Sequence, residues 1–250
     1  MTWTVDDLRE SFRTLAIGGG RTLMVHASLS SVGRVAGGAN AIITALLDVL
    51  GEDGTLVMPT FRSSVSAPGL TDILPPDLIE EARALTPPYD ADTTPSEMGL
   101  ITETFRTWPG VLRSPHPTSS IAAHGPLAER LVARHAPAWA TGRDSPFDIL
   151  HEVDAQLLLL GVGFNRLSML HYAETLIPNG RRKTRLVPLN GEVVAYPDTG
   201  DDLDTHFPKI GDAAVKEGVA KAGQVGNARC YLMASRPIVA LARKYLADRL

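Results

Sequence analysis

Two apolar runs of strand length lie close together near the start of this chain. "TLMVHASL" (22–29) and "GTLVMPTF" (54–61) are joined by "GGANAIITALLDVLG" (37–51), a glycine-led stretch with the spacing of a helix. A strand, a helix and a second strand in that order make a β-α-β unit. Its strands are parallel and its crossover is right-handed. Any fold for this chain must contain that unit.

The rest of the chain extends it. Residues 4–16 read as a helix, with Thr4 as N-cap and Asp6 and Asp7 in the first turn, where negative charge suits the helix dipole. The stretch 62–95 is rich in Pro, Ser and Thr and holds a short helical pattern near 77–84; a connection of this length is functional or disordered. Helices are predicted at 96–108 (capped by Ser96), 126–135 and 146–151 (capped by Ser145, with Pro146 in first position), and a short strand at 119–125. "LLLLGVGFNRLSMLHYAE" (157–174) is a buried strand that turns on glycine into a helical stretch. Asn190-Gly191 sits between two strand-like runs and is a strong hairpin signal, since a type I′ turn needs φ > 0 at both central residues. A last strand is expected at 223–235 and an amphipathic helix from Pro237 onward. The reading is a mixed α/β fold with early parallel β-α-β units and a late antiparallel hairpin. With 250 residues, no internal repeat and no linker, it is expected to form one compact domain over 1–250.

Composition excludes several classes. A net charge of −4 argues against a nucleic-acid binder, which carries a basic patch. One cysteine, Cys230, permits no intrachain disulfide and fits a reducing compartment. The first ten residues lack the basic and apolar regions of a signal peptide, and no apolar run reaches the length of a membrane span. The expectation is a soluble cytoplasmic protein, monomer or homodimer, with no nucleic-acid or membrane partner.

Candidate sites were weighed against plainer readings. Gly161 and Gly163 make half of a dinucleotide fingerprint, but Arg166 stands where the third glycine belongs, and no P-loop motif exists. Ser168, His171 and Glu174 are spaced i, i+3, i+6, so on a helix successive members sit about 60° apart. A carboxylate beside an imidazole is the base-plus-orienter arrangement of acid–base catalysis. From spacing alone, an ordinary helix-surface pair is the commoner explanation. No His, Cys or carboxylate set has convincing metal-ligand spacing, so no metal is expected. The serines after the first strand (Ser28, Ser30, Ser31) and the segment "RSPHPTSS" (113–120) could meet phosphates; a capped turn and a proline-stiffened loop are the plainer readings. The cluster Asp198, Asp201, Asp202 and Asp204 reads as a solvated loop, and Cys230 as core. No G-x-S-x-G elbow exists, which counts against a hydrolase triad.

Taken as an ordered set, these segments resemble the aminoglycoside 3-N-acetyltransferase family. The pieces that carry the resemblance are "VHASLSSVGRVAGGANAIITALLDVLGEDGTLVMPTF", "MGLITETFR", "GVLRSPHPTSSIAAHG", "GRDSPFDIL", "LLLLGVG", "LHYAE" and "GQVGNA", spanning roughly 22–235. The resemblance implies direct transfer of acetyl from acetyl-CoA to an amine, typically the 3-amino group of a deoxystreptamine ring. It assigns the general base to His171 and its partner to Glu174. It places Ser28, Leu29, Ser30 and Ser31 along the phosphopantetheine, with Arg113, His116 and Ser120 near the cofactor as well. The family's usual Asn-Thr before the histidine is Leu167-Ser168 here: the hydroxyl is kept and the amide is lost.

The chemistry so implied is physically coherent. An ammonium has no lone pair, so a base must take its proton before it attacks a thioester. A donor must meet the resulting oxyanion, and the Ser168 hydroxyl or a backbone N–H are the candidates. A cationic acceptor favours acids; Asp90, Asp92, Asp148 and the 198–204 cluster are expected to supply them. Two alternatives stay beside this reading. One is an acetyltransferase of the same fold acting on another small biosynthetic amine; the other is an inactive CoA-binding relative.

Overall fold

The computed structural model describes residues 1–62, 75–85, 87–189 and 192–250. Its elements follow the chain as α1 (Val5–Thr14), β1 (Thr22–Ala27), α2 (Leu29–Val32), α3 (Gly38–Leu50), β2 (Thr55–Pro59), α4 (Pro76–Leu85) and α5 (Leu100–Arg106). Then come β3 (Leu112–Arg113), β4 (Ile121–His124), α6 (Ala128–Val132), α7 (Pro146–Glu152) and β5 (Gln156–Leu160). A 3₁₀ turn (Phe164–Arg166) leads into α8 (Met169–Thr175), followed by β6 (Arg182–Leu189) and β7 (Glu192–Thr199). The chain closes with α9 (Phe207–Lys216), β8 (Ala220–Val225), β9 (Ala228–Ala234) and α10 (Ser235–Ala247).

Seven strands form one sheet in the order β3-β4-β2-β1-β5-β9-β8, while β6 and β7 form a separate two-stranded sheet. β1 lies parallel to both β2 and β5, and the outer pairs are antiparallel. The mixed α/β reading, parallel early and antiparallel late, is therefore what the chain adopts. The central strands are apolar on both faces, and alternation sorts their side chains into two cores. Met24, Val57, Leu157 and Leu159 face one side with α7, α8, α9 and α10. Leu23, Val25, Leu56, Met58, Leu158 and Leu160 face the other with α1, α3 and α5. Helices thus cover both faces, as the parallel strands require.

Local signals explain most boundaries. Thr4 and Asp7 form the reciprocal capping box of α1. The helix expected to start at Ser96 begins at Leu100 instead, with Gly99 (φ 93°) as its N-cap. The Ser96 amide donates to Glu103 Oε2 at 2.8 Å, so Ser96 is bonded to the helix from outside it. The strand expected over 223–235 is a hairpin: Gly226 (φ 59°) and Asn227 turn β8 into β9. The Asn190-Gly191 turn lies outside the described residues, although the strands flanking it pair in register from Leu189↔Glu192 to Arg182↔Thr199. Cys230 is fully buried, and burial raises its thiol to about 11. Among the described residues, no helix is long and apolar enough to cross a membrane.

Candidate active site

The three parallel strands β2, β1 and β5 end side by side. Chain direction makes their carboxyl ends the natural crevice of an open α/β sheet, because the connections leave toward opposite faces there. A cleft of about 410 Å³ opens at that point, lined by His26 and Ala27 from β1, Pro59 from β2, and Val162 and Asn165 from the turn after β5. Ser168 and His171 complete the same wall. The turn depends on Gly161, whose φ is +70°; a Cβ there would stand 2.4 Å from the Ser31 Cβ. The glycine therefore lets the turn close against α2.

α8 mounts the histidine. Its inward face buries Met169, Leu170 and Ala173 in the core, and the Tyr172 hydroxyl donates to Asp148 Oδ1 at 2.6 Å, tying α8 to α7. His171 lies off that face, its side chain 27% exposed, with the ring edge-on to Phe207 at 4.8 Å between centroids. Nδ1 is buried and unpartnered among the described residues, so Nε2 is the nitrogen left to the cleft. Burial pushes the imidazole below its usual range; Glu174 opposes that shift, Lys183 adds to it, and Asp198 and Asp201 oppose it. A ring held below 6.5 is neutral, with a free lone pair, at neutral pH.

Glu174 is fully buried, and its nearest oxygen lies 4.0 Å from His171 Nδ1, beyond hydrogen-bond range. Its bonds go to Arg181 instead. The Arg181 Nε donates to Oε1 at 2.8 Å, Nη2 to Oε2 at 2.9 Å and the backbone N–H to Oε1 at 2.6 Å. Arg181 Nη1 reaches on to Asp202 Oδ1 at 3.0 Å and the Asp201 carbonyl at 2.9 Å. The sequence reading missed Arg181, since nothing local in "NGRRKTR" singles out one basic residue. Ser168 lines the cleft; it does not cap α8, and its hydroxyl makes no hydrogen bond to a described residue.

The expected cofactor residues divide. Ser28 to Ser31 follow directly on β1, beside the cleft. Ser31 Oγ donates to Ser28 Oγ (3.0 Å) and to the Gly161 carbonyl (2.9 Å), and Ser28 and Ser30 hydroxyls lie 3.1 Å apart. Leu29 packs partly on the core. Arg113, His116 and Ser120 are not among the residues lining this cleft, and each is bonded within the protein. Arg113 spends its guanidinium on Thr60, Ser120 and the carbonyls of Ala91 and Thr94, with Tyr89 under it at 5.1 Å. His116 Nδ1 accepts from the Ser119 amide at 2.9 Å while Nε2 faces the Pro137 carbonyl at 3.2 Å, and the ring is buried. The Ser120 hydroxyl donates to the Thr60 carbonyl. These bonds stiffen the loop from within. The cation that does line the cleft is Arg166, exposed at its edge.

The acids also sort themselves. Asp90 holds the backbone and hydroxyl of Thr93, Asp92 is exposed, and Asp148 holds Tyr172. None of the three lines a cavity that reaches His171. The 198–204 acids do. A cavity of about 170 Å³ contains His171, Lys183, Arg185, Asp198 and Asp201; another of about 250 Å³ contains His171, Asp201, Asp202 and Asp204. Asp198 and Asp202 are buried, so this segment is not the solvated loop expected from its composition. His171 thus stands between the strand-end cleft and an acid-lined space behind it.

Comparison with known proteins agrees with that geometry. Residues 24–247 match the profile of the family described as Aminoglycoside 3-N-acetyltransferase. The chain belongs to this family of acyltransferases. An aminoglycoside N(3)-acetyltransferase III from Pseudomonas aeruginosa is 34% identical over 97% of this chain and 93% of its own length. The crystal structure of YokD from Bacillus subtilis superposes with a TM-score of 0.92 at 33% identity, covering 100% of this chain and 95% of that one. A family enzyme, AAC-IIIb in binary complex with CoASH, superposes with a TM-score of 0.87 at 28% identity over 100% of this chain and 98% of that one.

Proposed function

We propose that this chain is a cytoplasmic, single-domain acetyltransferase that moves acetyl from acetyl-CoA to an amine of an aminoglycoside, the 3-amino group of a deoxystreptamine ring. The observation that carries the reading is His171: one imidazole, neutral at neutral pH, borders both the cleft at the strand ends and the acid-lined space. A two-substrate transfer needs a base at such a junction.

Acetyl-CoA, when bound, supplies the acetyl thioester. Two free polar groups in the cleft fit its amides and carbonyl: His26 Nε2, buried with no partner among the described residues, and the Ser168 hydroxyl. Arg166 is the cation available to its anionic end. On the other side, the acceptor ammonium gives its proton to His171 Nε2. The freed nitrogen then attacks the thioester carbon, the C–N bond forms and the C–S bond breaks; the proton held by His171 passes to the departing thiolate, and the second proton lost by the nitrogen as it becomes an amide goes to water. The imidazolium that exists between those transfers has the Glu174 carboxylate 4.0 Å from Nδ1. Arg181 holds that carboxylate in place. Ser168 Oγ is the donor assigned to the oxyanion.

The test is thiol release from acetyl-CoA with deoxystreptamine antibiotics, including one blocked at the 3-amino group. Turnover lost only with the blocked compound supports both the class and the site of transfer. In His171→Ala, turnover falls about 10²–10⁴-fold while CoA still binds. An unchanged rate would remove His171 as the base. CoA binding without thiol release for any amine would favour an inactive relative.

A further inference from the structure

Three of the acids behind His171 already hold a cation. Arg181, Lys183 and Arg185 alternate along the start of the β6–β7 hairpin, so their side chains share one face. Each meets a carboxylate. Arg181 Nη1 lies 3.0 Å from Asp202 Oδ1, Arg185 Nε lies 2.9 Å from Asp198 Oδ2, and Lys183 Nζ contacts Asp201 Oδ1. Much of the negative charge that the composition suggests is thus already paired.

The three pairs differ in strength. Asp198 and Asp202 are 7% and 6% exposed in their side chains, and each meets a planar guanidinium. Asp201 is 49% exposed, and its partner is a compact ammonium on a flexible stem. The Lys183–Asp201 pair is the one that an incoming ammonium can open. The surrounding cavity also holds groups waiting for a partner. Thr141 Oγ1, Thr199 Oγ1 and His171 Nδ1 are buried and unbonded among the described residues, and all three residues line it. Buried polar atoms are costly to leave unpaired, so the cavity is built to hold a polar ligand.

We propose that Lys183 is a specificity-determining residue: its ammonium occupies Asp201 in place of a substrate ammonium, and polycationic acceptors must displace it to bind. The proposal rests on the acceptor side assigned above. It selects for acceptors carrying few ammonium groups besides the reacting one, and against those that need Asp201.

Calorimetric titration without acetyl-CoA tests it, with neomycin as the polycation and glucosamine as the single amine. Lys183→Met tightens neomycin about fivefold or more and leaves glucosamine within about twofold. Lys183→Arg, which keeps the cation, stays near wild type, and Asp201→Asn weakens neomycin. Neomycin binding that is unchanged or weaker in Lys183→Met overturns the proposal, as does equal tightening of both ligands. Because no acetyl moves in this experiment, its outcome is separate from thiol release. Tighter binding with no turnover leaves Lys183's role intact and removes the acetyltransferase reading; turnover with unchanged binding does the reverse.

Discussion

Arg181 grips both oxygens of the Glu174 carboxylate, at 2.8 and 2.9 Å, inside a site where Glu174 has no exposure at all. The Glu174 carboxylate is therefore held by a residue seven positions further on, not by the imidazole one turn before it. Removing one member of such a pair strands the other as an uncompensated buried charge. Arg181→Ala is expected to cost about 3–5 kcal/mol. Urea unfolding at pH 7 measures it, and a loss under about 1 kcal/mol would mean that water replaces the guanidinium.

The base should show its depressed pKa in the rate. His171 must be neutral to accept a proton, and burial holds it below 6.5. The acidic limb of kcat against pH is expected to fall below the ordinary histidine range, with a flat region through neutrality. A limb centred at or above 6.5 would contradict the buried, neutral imidazole.

Arg113→Ala is expected to act on stability, not selectively on CoA. The substitution removes the guanidinium from the carbonyls of Ala91 and Thr94 and takes one of two donors from the Thr60 carbonyl, a loss of about 3 kcal/mol. Denaturant midpoints and CoA titration on the same sample separate the two effects. A strong loss of CoA affinity with unchanged stability would restore Arg113 to the cofactor site.

Acid should destabilise the fold well before the carboxylates titrate. Burial lowers His26 to about 4, His116 to about 4 and His135 to about 3. The rings are neutral when folded, while the unfolded chain binds protons from about 6.5 downward. The stability these rings allow is present above 6.5 and is lost as pH falls toward their folded values. The loss at pH 5 is roughly 2 kcal/mol per ring. Unfolding free energies at pH 7 and pH 5 test this, and replacing His135 with Gln should reduce the difference. Equal stability at both pH values would show the rings protonated within the fold.

Gly161→Ala should damage both fold and activity, since it adds a methyl at φ +70° against Ser31. About 2 kcal/mol of stability and much of the turnover should go together. A fully active, equally stable variant would show that the turn can shift without moving α8.

The sequence was most legible where one segment contains its own reason. The β-α-β opening, the capped helices and the His171–Glu174 spacing all follow from local pattern. Helix α9 was not foreseen: Phe207–Lys216 follows an acidic run that resembles a loop. The β8–β9 hairpin was read as one strand: only Gly223, Gln224 and Val225 of the run 223–235 precede the Gly226-Asn227 turn, too few to read as a strand of their own. Residue type alone does not reveal that the donors of Arg113 and His116 already have partners within the protein. Arg181 and Lys183 gained their roles only when the hairpin brought them against Glu174 and Asp201. Charge pairing across a fold leaves little trace in local spacing.

The two-stranded sheet of β6 and β7 shares no ladder with the seven-stranded one. The floor that carries His26, Pro59 and His171 is built into the large sheet and its helices. The cations and acids on the other side of His171 are carried by the hairpin and the chain next to it. The two walls around His171 can therefore diverge at different rates. A lineage could exchange Lys183, Arg185 or Asp201 on one wall while the other stays as it was.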